Sequence, residues 1–578
     1  MWATCRTERN WCWACARSIL GEHELNGWLR LANITPPLEY GANPKRPRQR
    51  VRPWQMNQLR WFTEWKGCFG GCRGRGTCVV GVCVCERGAS GLDCAEGPPP
   101  PPPLPPPPPP RRTLAVYVYD LPADLGLTSF ALRVWSTWFS EAHSVYSTEW
   151  RFLEYLLADS VRTLDPEQAD LFFIPTLGAL GGMPKAAGTK RCVERGRLEL
   201  AIRHVRSQFP YWDRSGGRDH VVFLTGDQGG CGLGAAGTRP IIISAWGLIG
   251  EARHMAEFAR RAEFEQAEPS ALAATLASGR WCHAPHKDVV VPPYGDVQLA
   301  GNESAGAPHW PPAEHVLLHV GGVWGANNHG VRNYSFYSQG MRQDLFFRYA
   351  DERGRALGFI VRNRSMAHGK LSRLVKTSKF CFSPSGHGWG MRTGKNTMIG
   401  CVPLVAQPFV VQAFETELAF EEFSRRVDFE DMPTLAQKLE VGDAELLRLR
   451  LEGHRVRRTF MWHAEVGGLA YNFTILSLCH RAVELWGGLR AGPAASCEPL
   501  AAPLPGARGT RRMPYWYPPP LAEATRRLID ARRQGAAASR RLAWERQPTL
   551  IKQPAKLSTD ASPYEPCAPG VPPALCAV

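Results

Sequence analysis

The sequence lacks any long hydrophobic run. No window of 18 uncharged apolar residues occurs, so it supplies no stretch able to cross a bilayer as a helix. The longest candidate, Gly467 to Cys479, is too short and too mixed. The first twenty residues hold no clean apolar core of a secretory leader. The 56 glycines follow no every-third repeat, which excludes a collagen, and there is no Asp-x-Asp metal motif. Acidic residues are scarce at both ends. Residues 1–112 carry 16 Lys+Arg against 8 Asp+Glu, and 491–578 carry 12 against 6, so of the formal net charge of +16 only +2 belongs to 113–490. A basic chain invites a nucleic-acid reading. A near-neutral centre between basic flanks argues against it, and no nucleic-acid partner is expected.

What is present is core-forming. The 578 residues are 44% hydrophobic, with 20 Trp and 24 Phe, which excludes wholesale disorder and fits two to four domains. Six of the 18 cysteines fall between Cys68 and Cys94, a density typical of a disulfide-stapled module in an oxidising compartment. Five of the twelve asparagines stand in Asn-x-Ser/Thr sequons: Asn33, Asn302, Asn333, Asn363 and Asn472. Sequons are acceptors only along the secretory route. Together these features predict a Golgi or secretory-lumen location. The missing leader then predicts that the natural chain starts differently and carries an N-terminal membrane anchor.

Five segments follow from composition. Residues 1–63 are basic and irregular, with a solvated charge run at Lys45 to Arg52. Residues 64–96 hold the cysteine module. Residues 97–112 contain the proline run Pro98 to Pro110, a semi-rigid polyproline spacer. Residues 113–490 alternate apolar strands with helical periodicity. Residues 491–578 are Ala/Pro/Arg-rich and expected to be a mostly disordered basic tail, with a helix at Leu521–Arg533. Within the fourth segment, strands are expected at Leu114–Tyr119, Leu171–Ile174, His220–Leu224, Ile241–Ser244, Val289–Val291 and Val316–Val320. Helices are expected at Glu149–Leu164, Ser338–Ala356 and Pro433–Arg450. The alternation predicts an α/β protein with parallel sheets, and the length predicts two lobes.

Chemistry concentrates in Lys379–Ala406, KFCFSPSGHGWGMRTGKNTMIGCVPLVA. It reads as a strand, a glycine-rich loop from Ser383 to Gly390, a short helix Met391–Gly400 and a second strand Val402–Ala406. Backbone N–H groups of Ser385, Gly386, His387 and Gly388, leading into a helix N-terminus, suit a diphosphate. Arg392 and Lys395 add positive charge on one helical face. A Walker A loop would need Gly where Trp389 stands and Ser/Thr where Asn396 stands. A dinucleotide fingerprint would need an acid about twenty residues on after a strand; Glu415 is near that distance, in a segment that reads as helical.

This segment resembles the exostosin family of glycosyltransferases (GT47), through Lys379-Phe380-Cys381, Pro384-Ser385-Gly386, Arg392 and Gly400-Cys401-Val402-Pro403. Tyr119-Asp120-Leu121-Pro122, Ala169 to Pro175, Lys287 to Pro293 and Tyr337-Ser338-x-Gly340-x-Arg342-Gln343 match in order. The resemblance implies a GT-B fold of two Rossmann-like lobes and inverting transfer of sugar to a glycan acceptor, a cell-wall or matrix polysaccharide or glycoprotein. It implies a nucleotide-sugar donor, a UDP-sugar, with no metal cofactor required. The spacing C-x3-C-x5-C-x4-C-x-C-x8-C resembles an EGF-like domain, an arrangement associated with green-algal members. That likeness implies the pairs Cys68–Cys78, Cys72–Cys83 and Cys85–Cys94; a zinc site using the thiolates of Cys83 and Cys85 is the alternative.

Two positions depart from the family pattern. Lys395 stands where the family has an acid, and a lysine cannot accept hydrogen bonds from a ribose. In Thr225-Gly226-Asp227-Gln228-Gly229-Gly230-Cys231, Gly226 stands where relatives carry His. Asp227, at a strand's C-terminal end, is the candidate base for the acceptor hydroxyl. Asp120, Asp288 and Arg342 read as loop-fixing residues, and His319 as structural. The alternative function is an inactive relative that binds extracellular glycan or protein through the EGF-like module.

Overall fold

The computed structural model describes residues 69–97 (except 80, 81 and 87), 114–121, 148–176, 190–249 (except 228, 232 and 234–238), 282–295, 310–323, 337–363, 368–489 (except 387) and 496–545 (except 518). Within them lie a small module and two parallel α/β lobes. The expected irregular segment 1–63 and the proline run fall outside the described residues.

The first lobe is a six-stranded sheet of β3 (Val116–Val118), β4 (Arg162–Thr163), β5 (Leu171–Phe173), β6 (His220–Leu224), β7 (Ile241–Ser244) and β8 (Val289–Val290), in the order β4-β3-β5-β6-β7-β8. The second has β9 (His315–Val320), β10 (Phe359–Arg362), β11 (Ser378–Pro384), β12 (Val402–Ala406) and β13 (Arg425–Arg426), in the order β10-β9-β11-β12-β13. All pairings in both are parallel. Each lobe therefore starts with the winding 2-1-3-4-5, whose strand order reverses beside the first strand. Ligands of such sheets bind at the carboxyl ends of the strands flanking that reversal. This architecture is consistent with the expected Rossmann-like GT-B fold.

The strands are apolar because both faces are covered. On β3, Val116 and Val118 join a core with Trp150, Leu153 and Leu156 of the Thr148–Ala158 helix, while Tyr117 and Tyr119 face Leu198, Ala201 and Val205 of the Lys190–Gln208 helix. The helix Ala470–Trp486, which follows the second lobe in sequence, returns Phe473, Leu476 and Cys479 to the first lobe's core.

Three expected helices are shorter or broken. The first stops at Ala158, where Asp159 Oδ1 accepts from Val161 N, a local bond that competes with helix continuation. The second divides into Met341–Tyr349 and Glu352–Ala356, because Asp351 caps the latter by accepting from Gly354 N. The third is interrupted before Asp443–Val456, which starts after Gly442. Glu415 lies in a turn, not a helix. It takes a two-oxygen contact from Arg426 Nη2 and a bond from Trp516 Nε1.

The largest correction concerns the C-terminus. The described residues of the expected disordered tail, 496–517 and 519–545, are folded. Cys479–Cys497 anchors it, Arg426 stacks 4.4 Å from the Trp516 ring, and Tyr517 and Leu521 bury against Leu248, Val410 and Val411. The chain then forms the helix Pro519–Glu545. Its buried positions, Leu521, Thr525 and Ala536, are mostly small, so they carried little hydrophobic signal.

The module contains the hairpin β1 (Gly76–Val79) and β2 (Val82–Cys85) with Cys72–Cys83 and Cys85–Cys94 bonded. Cys68 lies outside the described residues. Sulfurs of Cys72, Cys83 and Cys94 are the one metal-ligand-type cluster among the described residues, and all three are disulfide-bonded, which corrects the zinc alternative for these thiols. The module does not dangle. Leu92 enters the first lobe's core, Gly91 N donates to Asp120 Oδ2 at 3.1 Å, and Asp93, 1% exposed, accepts from Arg162 Nη1 at 2.6 Å and Arg73 Nε at 3.0 Å.

Asp93→Ala would leave Arg162 as a buried uncompensated charge. The expected loss is about 3 kcal/mol, read as a lower urea midpoint for the first lobe. Glu96 supplies a pH test. Burial, then the Asp120 carboxylate, hold its carboxyl protonated up to about 7. A carboxyl raised from 4.5 destabilises the folded state as pH climbs from about 4.5 to about 7. Tm should fall across that window, and Glu96→Gln should flatten the fall.

Candidate active site

The second lobe's reversal lies between β9 and β11, and two arginines occupy it. Arg392 opens the Arg392–Ile399 helix and donates from Nη2 to the Val320 carbonyl at 2.7 Å, at the end of β9. Gly321 follows, and a Cβ there would overlap the Arg392 guanidinium. Arg342 donates from Nε and Nη2 to the Ser385 carbonyl at 3.1 and 2.7 Å, beyond β11, and from Nη1 to the Gly322 carbonyl at 2.8 Å. Its guanidinium also stacks 4.8 Å from the Tyr337 ring. Neither arginine has a carboxylate partner among the described residues. Burial, then the like charge of Arg342, lower Arg392 to about 10, still fully cationic near neutrality.

Two buried polar side chains beside this pair have no protein partner. Ser385 is 1% exposed and its Oγ makes no hydrogen bond; His319, fully buried on β9, has neither ring nitrogen bonded. Burial, with Arg392 and Arg342 adding to it, lowers His319 well below its usual range, so it stays neutral. The Arg392 helix starts without a side-chain cap, leaving its first N–H groups without intrahelical acceptors. Two cations, a hydroxyl and a bare helix start converge where an anion can be held.

The sequence-derived residues distribute as follows. Ser385, Gly386 and Gly388 form the loop between β11 and the helix, with Gly386 N donating to the Gly388 carbonyl at 3.1 Å. Gly390 is forced by space, because a Cβ would lie 2.6 Å from the Pro384 carbonyl. His387 falls outside the described residues. Lys395 does not join Arg392 over β9; it lines a cavity of about 40 Å³ between the lobes, with Val291, Pro293, Gly295 and Gln412. Asp227 lies beyond the end of β6 and is brought to the glycine loop: Trp389 N donates to the Asp227 carbonyl at 3.0 Å and Trp389 Nε1 to the Gly226 carbonyl at 3.2 Å. Cys231–Cys282 closes the Asp227 loop, and Cys381–Cys401 joins β11 to the start of β12; neither bond was anticipated. Asn472 is exposed, and Asn363 is half-buried with Oδ1 accepting from Val323 N at 2.8 Å. Asn302 and Asn333 fall outside the described residues. Arg342 is the residue that sequence reasoning undervalued. It does fix a loop, but the loop is the one at the site.

A family model for the exostosin GT47 domain matches residues 110–441. The chain belongs to the exostosin GT47 family. A probable glucuronoxylan glucuronosyltransferase of Arabidopsis thaliana is 26% identical over 349 residues, covering 57% of this chain and 63% of that protein. A probable glucuronosyltransferase of Oryza sativa subsp. japonica is 25% identical over 343 residues, covering 57% and 70%. A probable beta-1,4-xylosyltransferase of Arabidopsis thaliana is 23% identical over 327 residues, covering 56% and 69%. The match thus spans under two thirds of the first of these relatives. Among the described residues no helix is long and apolar enough to cross a membrane.

Lysine cannot reproduce the fork by which Arg342 holds two carbonyls at once. Arg342→Lys in this exostosin-family chain is expected to weaken binding of inorganic pyrophosphate, a probe for the anion site, about tenfold or more, measured by titration calorimetry. Unchanged affinity would remove Arg342 from the site.

Proposed function

We propose that this protein is a glycosyltransferase that moves a sugar from a nucleotide-sugar donor, a UDP-sugar, onto a glycan acceptor with inversion. The observation that carries the reading is the pair Arg342 and Arg392, without carboxylate partners at the strand reversal, beside the unpartnered Ser385 hydroxyl. Such a site suits a leaving diphosphate. Its developing charge would be met by fixed guanidiniums and by N–H groups of the helix start.

The proposed step is a single displacement. An acceptor hydroxyl oxygen attacks the anomeric carbon from the face opposite the diphosphate. The bond from that carbon to phosphate oxygen breaks, and the hydroxyl proton passes to the Asp227 carboxylate. The nucleoside diphosphate departs with its electron pair, held by Arg342 and Arg392. Trp389, bonded to both Gly226 and Asp227, supports this assignment by coupling the base loop to the donor loop. Lys395 cannot replace the family acid as an acceptor of ribose hydroxyls; facing the cleft, it would supply positive charge to the donor instead. The names of the relatives make a cell-wall polysaccharide the favoured acceptor class. Disulfides in both lobes and in the module support a secretory, Golgi-type location, with membrane association through an N-terminal anchor as the accompanying proposal. The module's two described bonds fit the EGF-like pairing.

A second reading is an inactive relative, favoured by Lys395 and by Gly226 in place of the family's acid and His. A panel of UDP-sugars separates the two. Donor at a hundredfold excess over Kd stabilises a protein by about 2.7 kcal/mol, so Tm should rise by several degrees with the true donor, and Arg392→Ala should abolish the rise. Stabilisation without UDP release in the presence of glycan acceptors supports the inactive reading. No stabilisation by any nucleotide sugar at millimolar concentration overturns the donor site.

A further inference from the structure

We propose that Arg218, Arg239 and Arg532 form a socket for an oxyanion, a phosphate, sulfate or carboxylate group, on the back of the first lobe. Arg218 and Arg239 stand two residues before β6 and β7, at the amino ends of those strands, opposite the crevice described above. Arg532, on the Pro519–Glu545 helix, bridges them by donating from Nη1 to the Arg239 carbonyl at 2.8 Å and from Nη2 to the Arg218 carbonyl. Arg218 Nη1 in turn donates to the Ser215 carbonyl at 2.8 Å and to Ser539 Oγ at 3.3 Å.

Space has been made for this assembly. A Cβ on Gly216 would lie 2.9 Å from Arg218 Nη1 and 3.7 Å from Arg239 Nη1, so the two like charges flank one point. A Cβ on Gly535 would lie 2.6 Å from Arg218 Nη2. Glycine inside a helix is less stable than alanine, and here its lack of a side chain seats a cation. None of the three arginines forms an ion pair among the described residues. The neighbouring acids are already engaged: Asp219 by Ser215, His220 and Arg214, and Asp288 by Lys287 and two backbone N–H groups. Burial lowers Arg532 to about 9; Asp288 opposes the shift, Arg218 adds to it, and Asp219 and Arg239 follow with opposite signs. Like charges fixed in place by carbonyls and glycines, without an ion-pair partner among the described residues, form a preorganised anion site.

Of the macromolecules that carry such groups, an acidic glycan fits better than a lipid surface. Among its described side chains the helix exposes Glu523, Arg526, Arg527, Asp530, Arg533 and Arg540 and no large apolar one, a surface suited to a polyanion rather than an acyl layer. The site is independent of sugar transfer, because it lies at the other end of the strands and its readout is binding.

The test compares Tm of the full chain in sodium chloride and in sodium phosphate or sulfate at matched ionic strength. Phosphate or sulfate should add a few degrees. Arg239→Ser removes an exposed head, so the fold should survive; it should raise Tm in chloride by relieving repulsion and lose most of the phosphate gain. Arg526→Ser, on the same helix, should keep that gain. Fluorescently labelled oligogalacturonate should bind wild type and bind Arg239→Ser at least fivefold more weakly. An equal phosphate response in wild type and Arg239→Ser overturns the socket. Binding to phosphatidylserine vesicles without binding to oligogalacturonate overturns the glycan assignment.

Discussion

Guanidinium groups placed side by side repel, and a fold keeps such a pair only when neutral acceptors take up their N–H groups. At the crevice of the second lobe those acceptors are main-chain carbonyls at the carboxyl ends of two parallel strands, Val320 for Arg392, and Gly322 and Ser385 for Arg342. The 2-1-3-4-5 winding leaves a gap beyond the carboxyl ends of the strands flanking the reversal, where helices do not cover the last carbonyls. The arginines fill that gap without cancelling their charge. A carboxylate in the same place would stabilise the empty protein and spoil the site for an anion. His319 beside them is kept neutral first by its burial, and the two arginines add to that.

The two lobes meet through backbone as much as through side chains. Ile249 N donates to the Phe409 carbonyl, Val411 N to the Gly247 carbonyl and Phe414 N to the Val290 carbonyl. These bonds set the relative position of the sheets beneath the cleft, and Trp389 adds a link above it. The C-terminal segment reinforces the seam, because Trp516 binds Glu415 and stacks on Arg426 while Tyr517 and Leu521 bury against both lobes. What composition presented as a loose tail is a strap across the joint.

Much of this was legible. β6, β7 and β12 are continuous apolar runs with turn residues at their ends, and strands buried on both faces have to look that way. Arg392 and the glycine loop were legible because spacing alone places an arginine at a helix start. Arg342 was harder, since its importance comes from carbonyls of Gly322 and Ser385, which are remote in sequence and contribute no side chain to be noticed. The ends of helices were misread where an aspartate cap won over periodicity, at Asp159 and Asp351. The Pro519–Glu545 helix was underestimated because small side chains bury little area yet pack closely. The role of Leu92 was hidden for a related reason: one apolar residue in a cysteine-rich stretch does not announce a docking contact.

The first lobe's core reaches from Leu92 to Leu504, whereas the second lobe's main cluster runs only from Leu317 to Leu449. On the ribosome, therefore, the lobe that begins later is the one that closes first. The earlier lobe must wait, its sheet half covered, until Ala470–Trp486 and the Cys479–Cys497 bond have emerged. A truncation near the C-terminus would strike the half of the molecule made first, and would leave its apolar surface exposed to aggregation for longer.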